Sequence, residues 1–194
     1  FLLRTNADGA EDYKIVETPV DSGAKETWTD LLAHEPGRLV LNLGVFKDFF
    51  IRLERVNALP RIVVHQFSDG EEHEIAFDEE AFDLHMVPVH EFDTTTMRFA
   101  YSSLATPTEV YDYDMAARTR DLRKRQEIPS GHDPDNYVVR RLNARSYDGK
   151  FVPMSVVYAK DTPLDGTAPA LLYGYGAYGM SMPASFSPNR FTLV

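Results

Sequence analysis

The chain has 194 residues, 43% hydrophobic and 26% charged, the mix of a globular protein able to bury a core. Asp plus Glu number 30 against 20 Lys plus Arg, and the resulting net charge of −10 has the wrong sign for a duplex-binding or anionic-membrane surface. Cysteine is absent, which excludes disulfides, a thiolate nucleophile and Cys-ligated zinc, and no apolar run approaches the roughly 20 residues of a membrane-crossing helix.

A cysteine-free chain permits a reducing compartment without showing one; a cytoplasmic location is the expectation. The opening Phe1-Leu2-Leu3-Arg4-Thr5 has no initiator Met, basic n-region or cleavage signature, and reads as an internal cut through a longer chain. Charge is unevenly placed. Residues 1–93 hold 20 acidic and 8 basic side chains, whereas residues 94–194 hold 10 and 12. The acidic excess reads as a solvated surface.

Short β-prone runs separated by turns dominate the chain. Asp8-Gly9 marks the first turn, and Asp30–His34 reads as one helical turn. Strands are predicted over Leu39–Leu43 and Phe46–Arg55. Arg61–Phe67 is rich in β-branched residues and runs into Asp69-Gly70, which tolerates the positive φ of a hairpin turn; Glu71–Phe77 is the returning strand. Further strands are predicted over Phe82–Val87, Met97–Ser103 and Glu109–Asp114, the last two as neighbours. Strands at roughly ten-residue spacing without helices between them argue for an antiparallel all-β body, a sandwich or a propeller. At about 40–50 residues per blade, residues 1–127 hold between two and three. Composition changes at Ile128-Pro129-Ser130-Gly131-His132-Asp133-Pro134, which reads as a linker. Beyond it lie predicted strands over Tyr137–Arg145, Val152–Ala159 and Ala170–Tyr173, with turns at Asp148-Gly149 and Asp165-Gly166. The last two strands are continuously apolar, as strands covered on both faces tend to be.

Gly174-Tyr175-Gly176-Ala177-Tyr178-Gly179 matches G-x-G-x-x-G after a predicted strand. A dinucleotide site also needs a helix opening at the last glycines, and Pro183 and Pro188 oppose one. No cofactor is expected. His85 and His90, five apart, fall on opposite faces of a strand and make a poor metal site; no metal is expected. Glu71-Glu72 and Glu79-Glu80 read as surface acids. Arg118, Arg120, Arg123, Lys124 and Arg125 form the one basic run, without the interleaved aromatics of a base-stacking surface, and read as an exposed hairpin edge guarded by charge. Trp28, Phe46, Phe49 and Phe50 read as packing residues.

Ala170-Leu171-Leu172-Tyr173-Gly174-Tyr175-Gly176-Ala177-Tyr178-Gly179 resembles the strand-to-loop signature of the prolyl oligopeptidase family of serine peptidases, with the oligopeptidase B (protease II) branch nearest. The likeness extends to Val45–Phe49, to Tyr101-Ser102-Ser103-Leu104-Ala105-Thr106-Pro107, to Val152–Tyr158 and to Ser185-Phe186-Ser187. Any one piece is weak; their order along nearly the whole chain is specific. The resemblance implies a mainly β fold: antiparallel blades of a truncated β-propeller followed by the first strands of an α/β-hydrolase domain. Residues 1–128 are then the C-terminal blades, 129–135 the linker and 136–194 the start of the peptidase domain. The activity implied for the whole enzyme is hydrolysis of short peptides after Arg or Lys by a Ser-His-Asp triad. A prolyl-specific member of the family and a non-catalytic propeller module are the alternatives. The family's Gly-x-Ser-x-Gly turn does not occur here, so the triad is expected beyond Val194 and the chain alone is expected to be inactive. The resemblance implies that Tyr175 is the oxyanion donor and that Tyr178 lines the substrate pocket. Short peptides are the implied partners, with self-association of the truncated blades expected and neither nucleic acid nor membrane.

Overall fold

β-Branched and aromatic residues alternate with polar ones between turns, and the chain folds accordingly into short strands. The computed structural model describes residues 1–194. It divides into two compact units, one made of Phe1–Ile75, Pro88–Met97 and Asp114–Arg118, the other of Ala76–Val87, Arg98–Tyr113 and Thr119–Val194.

In the first unit β1 (Leu2–Thr5), β2 (Lys14–Glu17) and β3 (Thr29–Leu32) form a three-stranded sheet in that order. β4 (Arg38–Val45), β5 (Phe49–Val56), β6 (Leu59–Gln66) and β7 (Glu72–Glu74) form a four-stranded antiparallel sheet, again in sequence order. Ile15, Val40 and Phe50 are fully buried at its core, with Leu2, Tyr13, Leu32 and Leu43 packed around them. The β5–β6 turn is two residues long, Asn57 and Ala58, both left-handed at φ 50° and 59°, the conformation whose twist matches a tight hairpin. Gly70, at φ 73°, turns β6 into β7 as the Asp-Gly pair predicts.

The third sheet has the order β11-β10-β9-β8, from β8 (Phe82–Val87), β9 (Thr96–Ser103), β10 (Glu109–Asp114) and β11 (Thr119–Arg125). Most of it lies in the second unit, where Leu84, Phe99 and Tyr101 are buried. Phe77 stacks on Tyr101 at 4.8 Å between ring centroids and meets Phe99 edge-on at 5.7 Å. β11 is an edge strand with all seven residues exposed, and it carries the basic run from Arg120 to Arg125. β12 (Tyr137–Arg145) and β13 (Phe151–Ala159) pair antiparallel through the Asp148-Gly149 turn.

Three sequence expectations need correction. Asp30–His34 is not a helical turn: Thr29–Leu32 is β3, because five residues cannot offset helix nucleation while Asp30 and Leu32 find backbone partners on β2. Ala170–Tyr173 is not a strand. No segment of the chain pairs with it, and Leu171, Leu172 and Tyr173 are 74%, 86% and 72% exposed. β13 is not covered on both faces, since Phe151 and Val152 are exposed and β12 is its one strand partner. Apolar continuity in these segments reports the wish to be buried, which a two-stranded ribbon cannot satisfy.

Candidate functional site

The segment bearing Tyr175 is an excursion from the end of β13 to the short 3-10 helix Pro188–Thr192. Its hydrogen bonds between residues 163 and 184 are local: Asp165 Oδ1 accepts from the backbone N–H and the hydroxyl of Thr167, and Met180 N–H donates to Ala177 O. Tyr175 is half exposed, and Tyr178 projects freely at φ 56°, a left-handed conformation beside Gly179 at φ 69°. Both rings are therefore open to a ligand. Tyr175 does not end a buried strand, as its apolar approach predicts; Ala170–Tyr173 precedes it as unpaired extended chain.

The ends of the excursion are held. Lys160 N–H donates to Asn136 O at 2.9 Å where β13 finishes. At the far end Phe186 and Phe191 join His132 and Tyr137 in an aromatic cluster with centroid separations of 4.5–5.4 Å. An open groove of about 530 Å³ lies against this cluster, lined by Gly131, His132, Asn136, Tyr137, Pro188 and Phe191 among others. His132 Nε2 lies 2.6 Å from Ala105 O, and because a carbonyl can only accept, that nitrogen carries the proton. His132 lies within the linker stretch and was not distinguishable there by spacing; an aromatic ring in a Pro/Gly-rich stretch was the available signal.

In the first unit the prominent titratable cluster is a ladder across β4–β7. Glu54 is fully buried and receives Arg52 Nε at 2.5 Å and Arg61 Nε at 2.8 Å. Arg52 reaches on to Glu72 with both terminal nitrogens at 2.7 Å, and His65 Nδ1 lies 3.1 Å from the same carboxylate. The Arg52 guanidinium holds the Glu72 carboxyl below the usual carboxylate range. Arg38 Nε is buried 3.8 Å from Glu54, too far to hydrogen-bond. With every carboxylate claimed by a guanidinium, the ladder braces the sheet rather than presenting an acid or a base.

In the second unit two phenols meet two carboxylates. Tyr101 donates to Glu79, which also accepts from Thr106, and Tyr111 donates to Glu109 at 2.5 Å. Burial, then the hydrogen bond to Glu109, pushes the Tyr111 phenol up to about 12; burial and Glu79 push Tyr101 up further. The paired acids of the sequence thus part company. Glu79 turns to Tyr101, Glu80 to Arg140 at 2.6 Å, and in the first unit Glu71 turns to Arg118 and Glu72 to Arg52. Nor is the basic run a free patch, because Arg123 pairs with Asp112 at 3.3 Å and Arg125 with Glu109 at 2.7 Å. His85 contacts Asp83 at 2.9 Å, and His90 lies beyond the end of β8. No group of three or more His, Cys, Asp or Glu side chains is arranged to hold a metal ion.

Comparison with known proteins places these features. Residues 1–126 match the model of the prolyl oligopeptidase N-terminal β-propeller domain. Dipeptidyl aminopeptidase BI of Pseudoxanthomonas mexicana is 37% identical over the whole chain, and Protease 2 of Moraxella lacunata is 27% identical over the whole chain. Oligopeptidase B from Leishmania major superposes on 98% of the chain with a TM-score of 0.87 and 30% identity, and the Trypanosoma brucei enzyme with covalently bound antipain on 96% with 0.85 and 31%. The chain spans 27% of the length of both sequence relatives and 28% and 27% of the two solved enzymes. With the propeller-domain model matched over residues 1–126, the chain belongs to the prolyl oligopeptidase family of serine peptidases.

Proposed function

We propose that this chain is part of an oligopeptidase B-like enzyme that, as a whole, hydrolyses short peptides after Arg or Lys. The observation that carries the reading is the likeness to oligopeptidase B structures over nearly the entire chain, at 30% and 31% identity. The serine nucleophile, its histidine and its aspartate belong, in this reading, to the part of the relatives that these 194 residues do not cover. Residues 136–194 supply the first strands of the α/β-hydrolase domain.

Within this chain the chemical contribution falls to Tyr175, whose phenol donates to the oxyanion of the tetrahedral intermediate, while Tyr178 lines the pocket for the residue before the cut. Tyr175 is half exposed between Gly174 and Gly176, which let a substrate approach the backbone closely. A phenol is a neutral donor at pH 7 and stabilises developing negative charge without the desolvation cost of an ion. In the full-length enzyme Tyr175→Phe lowers kcat by about 10²–10³ if it acts like other oxyanion donors. An unchanged kcat removes Tyr175 from this role.

A second reading has its own support, since the 37% identical relative is named a dipeptidyl aminopeptidase. Chromogenic amides separate the two on the full-length enzyme. Preferred hydrolysis of amino-blocked substrates after Arg or Lys supports the first reading. Hydrolysis confined to dipeptidyl amides with a free amino terminus supports the second, and preference for Pro overturns the Arg/Lys specificity.

A further inference from the structure

The loop between β9 and β10 has no part in the chemistry above, yet it is tightly built. Ser103 is fully buried, and its hydroxyl oxygen accepts from the backbone N–H of Ala105 at 3.0 Å and of Thr106 at 2.7 Å. Thr106 Oγ1 donates to Glu79 at 3.0 Å, and Tyr101 donates to the other oxygen of the same carboxylate. These bonds fix the direction of the Ala105 carbonyl, which receives the proton of His132 Nε2.

The other faces of His132 are occupied by rings. Tyr137 stacks nearly parallel at 5.4 Å, with 14° between the planes; Phe191 lies at 4.6 Å and Phe186 meets the ring edge at 5.0 Å. One imidazole thus joins three segments: the 103–107 loop, the 132–137 stretch and the 186–191 segment. His132 and Tyr137 are only five positions apart, and Asn136 between them holds Lys160. Both ends of the excursion bearing Tyr175 are therefore pinned to the same short stretch, and that stretch is oriented through His132.

We infer that His132 is a positioning residue, the pivot of a clasp that seats the Tyr175 excursion against the β9–β10 loop; the inference rests on the reading of Tyr175 above. A pinned loop places its donor with less freedom to lose, and oxyanion stabilisation depends on that placement because a hydrogen bond weakens steeply with misdirection. Histidine suits the position because it stacks like a phenyl ring and also donates to a fixed carbonyl.

The test is made on the full-length enzyme with a peptide amide substrate, measuring kcat, KM and the unfolding midpoint of each variant. His132→Ala is expected to lower kcat by roughly tenfold to a hundredfold, the scale on which a misplacement of about 1 Å is felt, with KM little changed. His132→Phe keeps the ring contacts but loses the donor to Ala105 O, and is expected to recover only part of the loss. In a Tyr175→Phe background, His132→Ala is expected to add no further loss, because it acts through the same donor. Should His132→Ala fail to fold, Phe186→Leu thins the clasp without removing it and is read the same way. The inference is overturned if Tyr175→Phe lowers kcat while the clasp variant leaves it unchanged, or if the two losses multiply. A Tyr175→Phe enzyme with full kcat is a different failure: it removes the oxyanion reading and the clasp's role with it.

Discussion

The two four-stranded sheets share strand count and sequential order, but they are braced by different chemistry. Across β4–β7 the brace is ionic: Glu54 lies fully buried between Arg52 and Arg61, and Arg52 continues to Glu72. Across β8–β11 it is aromatic, with Phe77, Phe99 and Tyr101 in contact and Tyr101 and Tyr111 donating to buried or half-buried carboxylates. Repeating one sheet geometry does not require repeating its interior. The choice decides which extreme of pH each sheet tolerates, and how much is lost when one brace is removed.

Glu54→Ala is the strongest way to break the comparison. It leaves Arg52 and Arg61 without their shared partner, with Arg52 only 3% exposed, and is expected to cost about 3–5 kcal/mol in denaturant unfolding. Phenylalanine replacing Tyr101 is a milder insult to the other sheet. The rings still stack while Glu79 loses one donor and keeps Thr106, so a loss of about 1–2 kcal/mol is expected by the same measurement.

The pH dependence sharpens the contrast. Glu72 is held below its ordinary range chiefly by the Arg52 hydrogen bond, so its contribution is present above about pH 4.3 and is lost as pH falls through the lower folded value. Tyr111 is raised to about 12, so its contribution is present below about pH 10 and is lost as pH rises between the two values. Amide exchange at low pH should therefore open β5–β7 before β9–β10, and at high pH the order should reverse. Loss of both sheets together at each extreme would show that the braces are not independent. The smallest effect is expected at the β5–β6 turn. Ala58 is left-handed at φ 59°, and Ala58→Gly should raise the unfolding free energy by about 0.5–1 kcal/mol by relieving that strain.

Strand positions were legible because alternation and turn chemistry are local. The predicted runs Phe82–Val87, Glu109–Asp114 and Tyr137–Arg145 coincide with β8, β10 and β12, the first stopped by Pro88, which has no N–H to give a ladder. β1 and β2 carry no prediction and β3 is mistaken for a helical turn, because four-residue strands are too short to show a period and gain their order from pairing with one another. The candidate site was legible only as a string. Tyr175 and Tyr178 stand out beside their glycines, whereas His132 lies in a stretch whose composition says only that no regular element passes through it.

Local sequence encodes the β class and the turns at Asp69-Gly70 and Asp148-Gly149, but not the opposite directions taken by the neighbouring carboxylates Glu79 and Glu80, which lie in the bend before β8 and on no strand. Tertiary structure alone decided where those carboxylates went. Glu80 reaches Arg140 and Glu79 reaches Tyr101, partners 60 and 22 residues away that no local period encodes. It also decided that Ala170–Tyr173, apolar enough for a strand, stays unpaired, because a strand is completed by a neighbour's backbone and not by its own side chains.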